Sequence, residues 1–242
     1  NDKATEKKLI GQITKRCGQL SKDKIVLSIQ DTTEINLSAH AGRVNKNSGL
    51  GGIDDSKGGI GFKLHPSFVL DASSCFPIGF SDIHIWNREP GMGDKHDREY
   101  TKLPIEQKES YKWIQGSDRS KEVLSKAKAV IIVQDREGDI FEQFAQVPDE
   151  KTFLLVRSRV NRKIADDERL WDKLSEATVM GQYELHLSSD SHRKEPARTA
   201  TMEVRCVAVE MQRPTNANKN PVKTVTAYAI EAKEINSEAK EP

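Results

Sequence analysis

Ile25-Val26-Leu27-Ser28-Ile29-Gln30-Asp31-Thr32-Thr33 decides the reading of this chain, because it is echoed by Ala129-Val130-Ile131-Ile132-Val133-Gln134-Asp135-Arg136-Glu137-Gly138-Asp139. Both begin as apolar, β-branched runs of the length expected for strands in the middle of a sheet, and both run straight into Gln-Asp. Alternation along an extended strand puts Asp31 on the face of Leu27 and Ile29, and Asp135 on the face of Ile131 and Val133. Each carboxylate is therefore expected to continue an inward-facing row. A buried, uncompensated charge costs several kcal/mol. A divalent cation shared by two neighbouring strand ends would compensate both. Taken singly, either aspartate could equally be a cap on the turn or helix that follows it.

The chain's 242 residues suffice for one large domain or a domain with a sizeable insertion, and a hydrophobic share of only 36% means that much of it must be surface. Basic and acidic residues, 38 against 37, cancel, so only local clustering can speak for a polyanionic partner. No apolar run approaches the ~20 residues of a membrane span, and the polar start Asn1-Asp2-Lys3 has no signal-peptide core. A soluble intracellular protein with no membrane partner is expected. Cys17, Cys75 and Cys206 are odd in number and widely spaced, which fits inert thiols in a reducing compartment rather than a disulfide framework or zinc knuckle. The six histidines show no H-E-x-x-H or similar spacing, so a histidine metal site is not expected.

Outward from the two aspartate segments, Leu9, Ile10, Ile13 and Leu20 among lysines predict a lead-in helix over 4–20. The glycine-dense stretch 49–61 lacks the G-x-x-x-x-G-K-[ST] order of a phosphate loop and reads as a surface loop. Segments 62–70 and 77–86 alternate like antiparallel strands around a turn at 71–75, making a three-stranded meander with the first strand. A loop is expected over 87–104, then two helical pieces, from Glu106 to Ile114 and from Ser117. A short helix over 139–145 and a strand over 152–156 follow the second aspartate strand. An antiparallel meander continued by parallel strands with intervening helices is the order of a ribonuclease-H-like mixed α/β sheet, with flanking helices and acids at the ends of adjacent central strands. From about 164 the pattern changes to a helix at 170–176 and three alternating segments, 181–187, 200–211 and 224–232. The expected organisation is an incomplete catalytic core over 1–163 and a β-rich insertion over 164–242.

Two carboxylates close together suit two-metal phosphoryl transfer, in which ions ~3.5 to 4 Å apart activate the attacking oxygen and stabilise the leaving one. Mg²⁺ needs only a few carboxylates and keeps its waters. Glu137 and Asp139 read as first-turn acids of the following helix, and Arg136 as a phosphate contact or a salt-bridge partner. The run Val156-Arg157-Ser158-Arg159-Val160-Asn161-Arg162-Lys163 holds four cations and no acid, the strongest polyanion-binding signal in the chain. A solvated edge strand protected by charge is the alternative. Trp86, Trp113 and Trp171 read as packing residues.

With these residues in view, the chain resembles the DDE transposases of bacterial cut-and-paste elements, specifically the insertion sequence 4 family. The likeness rests on Gln30-Asp31-Thr32-Thr33, Gln107-Lys108-Glu109-Ser110-Tyr111-Lys112-Trp113, Gln134-Asp135-Arg136-Glu137-Gly138-Asp139 and Phe153-Leu154-Leu155-Val156-Arg157-Ser158-Arg159. It implies a ribonuclease-H-like core with Asp31 and Asp135 as catalytic, metal-binding acids, two Mg²⁺ (or Mn²⁺) ions per complete site, and a β-strand insertion after the Arg157 strand. It further implies double-stranded DNA, both transposon ends and target, as partner, with Arg136, Arg157, Arg159, Arg162 and Lys163 as DNA contacts. A dimer on DNA and a nucleoid-associated location in the bacterial cytoplasm follow from the same resemblance. The family's third acid lies in a Tyr-Arg-Glu-Lys signature on a helix beyond the insertion. Tyr228-Ala229-Ile230-Glu231 lacks the arginine and sits in a β-segment, so Glu231 is not assigned, and the chain is expected to be an inactive fragment of a transposase. Two other readings stay open. One is a non-catalytic DNA-binding module of the same fold, and the other a phosphomonoester hydrolase with Asp31 as nucleophile.

Overall fold

The computed structural model describes residues 5–43, 49–52, 59–87, 103–192, 195–217 and 220–236. The chain forms two compact units, residues 1–159 with 215–220 and residues 160–214 with 221–242.

In the first unit, helix α1 (Glu6–Leu20) begins at Thr5, whose hydroxyl accepts from the Lys8 N–H at 3.3 Å and so satisfies one of the orphan donors of the first turn. Strands β1 (Ile25–Gln30), β2 (Thr33–Asn36), β3 (Gly51–Gly52), β4 (Ile60–Asp71) and β5 (Pro77–Trp86) follow. Helix α2 (Tyr111–Val123), strand β6 (Ala129–Gln134), helix α3 (Phe141–Gln146) and strand β7 (Thr152–Val156) complete the unit's regular elements. All seven strands belong to one mixed sheet. β1 and β2 pair antiparallel with successive stretches of β4, and β5 runs antiparallel along the other edge of β4. β6 lies parallel to β1, and β7 parallel to β6. This antiparallel meander extended by two parallel strands is compatible with the ribonuclease-H-like arrangement expected from the sequence.

The core lies on one face of that sheet. Cys17 from α1, Leu124 at the end of α2 and Val147 just beyond α3 pack with Val26, Val69, Val130 and Ile132. Helices α1 and α2 approach at Gly18, where a Cβ would stand 2.5 Å from the Val123 carbonyl oxygen. On the opposite face Ile25, Phe153 and Leu155 remain 43%, 52% and 53% exposed.

Three expectations change. The rows ending in Asp31 and Asp135 do not face the core: Val26, Ser28 and Gln30 alternate as the buried set of β1, and Val130, Ile132 and Gln134 as that of β6. Both aspartates, one position on, are exposed. The two helical pieces before β6 are a single 3-10 turn at Ile105–Gln107 and one helix running without a break through Gly116. Gly116 serves close packing rather than termination, because a Cβ there would stand 3.2 Å from the Gln30 side chain. The cationic run does not form an edge strand, since β7 ends at Val156 before the first arginine. Of the expected loops, residues 53–58 and 88–102 lie outside the described residues.

The second unit is built on a three-stranded antiparallel sheet in the order β10 (Thr224–Glu234), β9 (Arg198–Gln212), β8 (Val179–Leu187). Helix α4 (Leu170–Glu176) supplies Leu170 and Leu174 to its buried set, along with Ile164, Val209 and Met211. Arg205 of β9 bonds Glu203 at 2.7 Å and Glu231 of the neighbouring strand at 2.9 Å, a cross-strand charge ladder that fixes the β9–β10 register. Glu231, the glutamate left unassigned from sequence, is thus engaged in strand structure.

Candidate functional site

The site grows from the parallel pairing of β1 with β6, whose register sets Leu27 opposite Ile131 and Ile29 opposite Val133. One step further, Gln134 Nε2 donates to Gln30 Oε1 at 3.0 Å across the two strands, residues separated by 104 in sequence. Asp31 and Asp135 are the next residue of each strand. Neighbouring parallel strands run about 4.8 Å apart, so the register carried on by one residue sets the two aspartates level at adjacent strand ends.

Each chain then turns away. Asp31 Oδ1 accepts from the Thr32 N–H at 2.7 Å as the backbone passes into β2. Asp135 Oδ1 accepts from the Glu137 N–H at 2.8 Å and caps the 3-10 turn Arg136–Gly138. The capping reading of Asp135 is therefore met by one of its oxygens. Among the described residues neither aspartate takes part in a salt bridge, and neither Oδ2 has a hydrogen-bond partner.

Beneath Asp31 the Thr32 hydroxyl meets His65 Nδ1 at 2.9 Å. His65 of β4 is fully buried and stands edge-on to Trp113 of α2, ring centroids 4.6 Å apart. Burial, reinforced by the Lys112 and His84 charges, pushes its pKa down to about 3, so the ring is neutral at neutral pH. Lys112 lies 5.4 Å from the centre of the Trp86 ring and 3.7 Å from Glu137. Glu137 thus pairs across to α2 rather than serving the helix that follows it.

The sequence-predicted cations divide. Arg157 follows the end of β7, on the side of β6 away from Asp31: its N–H donates to the Gln134 carbonyl at 3.2 Å, continuing the β6–β7 ladder level with Asp135. The Arg159 N–H donates to Asp139 Oδ2 at 2.8 Å, tying the cationic segment to the turn after Asp135. Arg136, within that turn, is exposed, as are Arg157 and Arg159. Arg162 and Lys163 belong to the second unit, where Lys163 pairs with Asp167 at 2.5 Å and the Arg162 carbonyl accepts from the Leu170 N–H at 3.0 Å.

Sequence reasoning missed Gln30, Gln134 and His65. The signal for the glutamines was present, since the two quoted segments share Gln-Asp and not Asp alone. Nothing in the spacing of the histidines marks His65.

Two exposed carboxylates with oxygens to spare are a donor set that fits a hard divalent cation such as Mg²⁺ or Mn²⁺. Among the described residues no group of three or more His, Cys, Asp or Glu side chains is gathered closely enough to hold a metal ion. No described helix is long and apolar enough to cross a membrane. No family model matches the chain, and no curated protein matches it. Among solved structures, the chain is similar to a piggyBac transposase seen by cryo-EM in a synaptic complex with hairpin DNA, at 12% identity and a TM-score of 0.37. That likeness covers 98% of this chain but only 38% of the transposase, and a TM-score so low carries no argument.

Proposed function

We propose that this chain carries the catalytic core of a metal-dependent DNA transposase of the DDE type, which cuts a strand at a transposon end and joins the freed 3′-hydroxyl to target DNA. The observation that supports the reading is the β1–β6 register, which carries Asp31 and Asp135 on adjacent strand ends, with Arg157 level with Asp135 at the next one.

In this reading Asp31 and Asp135 hold the metal through the oxygens that their backbone hydrogen bonds leave free. Bound Mg²⁺ or Mn²⁺, two ions in a complete site, would sharpen the attacking oxygen and neutralise charge developing on the phosphate. Arg157, Arg159 and Arg136 would track the DNA backbone next to the acids, and Arg162 and Lys163 of the second unit would be DNA contacts in their own right. A third acid and dimerisation on DNA belong to the same proposal. The test is Mg²⁺-dependent strand cleavage of duplex DNA by the full-length protein. Asp31→Asn and Asp135→Asn are each expected to reduce cleavage to background while leaving the melting temperature within a few degrees. Equal cleavage by Asp135→Asn overturns the proposal.

One observation favours a second reading, a DNA-binding module of the same fold without catalysis: no three-acid group occurs among the described residues. A gel-shift titration in rising salt separates this from no DNA binding at all, because phosphate contacts give a steep loss of affinity with salt.

A further inference from the structure

We propose that Gln30 and Gln134 are positioning residues: their buried amides lock β1 to β6 at the strand ends and so hold Asp31 and Asp135 side by side. The inference rests on the metal-binding reading of those acids.

The two side chains are 1% and 4% exposed, in rows otherwise occupied by Val26, Val130 and Ile132. Burying amides where valine or leucine would fit costs stability unless every polar atom is met. Here the partners are supplied. Beyond its bond to Gln30, Gln134 Nε2 donates to Ser117 Oγ at 3.2 Å, and Gln134 Oε1 accepts from Gln143 Nε2 at 3.1 Å. Gln30 Nε2 donates to Ser117 Oγ at 3.3 Å; turned over, the same amide would donate to the Trp113 carbonyl and accept from the Ser117 N–H, but its nitrogen would then face Gln134 Nε2, so the cross-strand bond belongs to the first orientation. The cluster thus ties β1 and β6 to α2 and α3.

Its surroundings are shaped for it. A Cβ on Gly138, in the turn that Asp135 caps, would stand 2.3 Å from Gln134 Oε1 and 2.8 Å from Gln134 Cβ. The turn after Asp135 therefore rests on the Gln134 side chain. Successive residues of a strand point to opposite faces, so fixing the glutamines beneath the helices fixes where the next residue of each strand projects. An apolar pair would tolerate a sliding strand, whereas a directional amide pair favours one register, and a one-residue slip of either strand would swing its aspartate to the other face, away from its neighbour.

The experiment is Mn²⁺ titration of the whole chain, followed by electron paramagnetic resonance, for wild type, Gln30→Met, Gln134→Met, Gly138→Ala and Ser28→Ala. Methionine keeps the volume and removes the amide, and Gly138→Ala pushes on Gln134 from the turn. Ser28→Ala removes a hydroxyl from the same buried face of β1, two positions earlier. All are compared at a temperature where circular dichroism shows the native spectrum, and if one glutamine variant fails to fold, the other and Gly138→Ala carry the comparison. Mn²⁺ affinity is expected to fall about tenfold or more in the glutamine and glycine variants, as is usual for residues that orient metal ligands, and to stay at the wild-type value in Ser28→Ala. Wild-type affinity in the folded glutamine variants, alongside binding that Asp31→Asn abolishes, overturns the positioning role and leaves the metal site standing. Wild-type protein that binds no Mn²⁺, or binds it indifferently to Asp31→Asn, overturns both.

Discussion

On the helix-covered face of the seven-stranded sheet, Ser28, Gln30, Ser67, Ser81 and Gln134 are buried among Val26, Val69, Val130 and Ile132, while on the other face Phe153 and Leu155 are about half exposed. The difference runs against the simplest rule of polarity, by which the apolar face of a sheet turns inward. Exposed apolar side chains are common; buried polar ones call for a reason. Here all of these side chains but Ser67, whose hydroxyl is left without a partner among the described residues, are joined by hydrogen bonds. Ser120 of α2 meets Ser81 at 2.9 Å and Ser28 at 3.1 Å, and the glutamine cluster continues the seam toward the strand ends. Of these groupings, the glutamine cluster is the one that reaches the strand ends carrying the aspartates.

The comparison breaks first on core truncation. Ile132→Ala, at a fully buried position of β6, is expected to cost about 2 to 5 kcal/mol. Phe153→Ala and Leu155→Ala, on the neighbouring strand and the opposite face, should each cost under about 1 kcal/mol. Urea denaturation of the three variants decides. If Phe153→Ala costs as much as Ile132→Ala, that face is covered in solution and the contrast is lost.

A smaller effect sharpens the packing on the covered face. Gly18→Ala drives a methyl group against the Val123 carbonyl, while Gly11→Ala, in the same helix, meets nothing within 4 Å. The first should lower stability by about 1 to 3 kcal/mol, and the second should raise it by up to about 1 kcal/mol through helix propensity. Thermal melts of the pair are expected to move in opposite directions. A shared direction would mean that α1 and α2 do not meet at Gly18.

His65 gives the covered face a pH signature. Its folded pKa, about 3, lies below the ordinary value of 6.5, so between these values the unfolded chain binds the extra proton and the native state does not. Stability from this residue is complete above about pH 6.5 and drains as pH falls toward 3, at a rate approaching about 1.4 kcal/mol per pH unit. Comparing denaturation midpoints at pH 7 and pH 4.5 for wild type and His65→Asn should show a smaller acid loss in the variant. Equal losses would place a charged or exposed imidazole at position 65.

Much of the fold was legible because its elements are marked locally. The apolar runs at 25–29 and 129–133, the alternation of 62–70 and 77–86, and the helix at 170–176 each carry their own period. The inward direction of the aspartate rows was not legible. Periodicity assigns Leu27 and Ile29 to one face and Ser28 and Gln30 to the other, but which face the helices cover is decided by tertiary packing, and here they cover the more polar one. The helical patterns of 106–114 and from Ser117 look like two pieces, whereas α2 runs on through Gly116, whose purpose, room for the Gln30 amide, depends on a residue far away in sequence. The placement of Arg157 level with Asp135 comes from the β6–β7 pairing, and the assignment of Arg162 and Lys163 to the second unit from long-range contacts that no spacing announces.

The direct test of the paired aspartates is a double-mutant cycle on Mn²⁺ affinity with Asp31→Asn, Asp135→Asn and the two together. If both carboxylates hold the same metal, each single change weakens binding strongly and the double change adds much less than the sum of the two, the mark of coupled residues. Losses that simply add, or a single variant that binds Mn²⁺ as wild type does, would contradict a shared site.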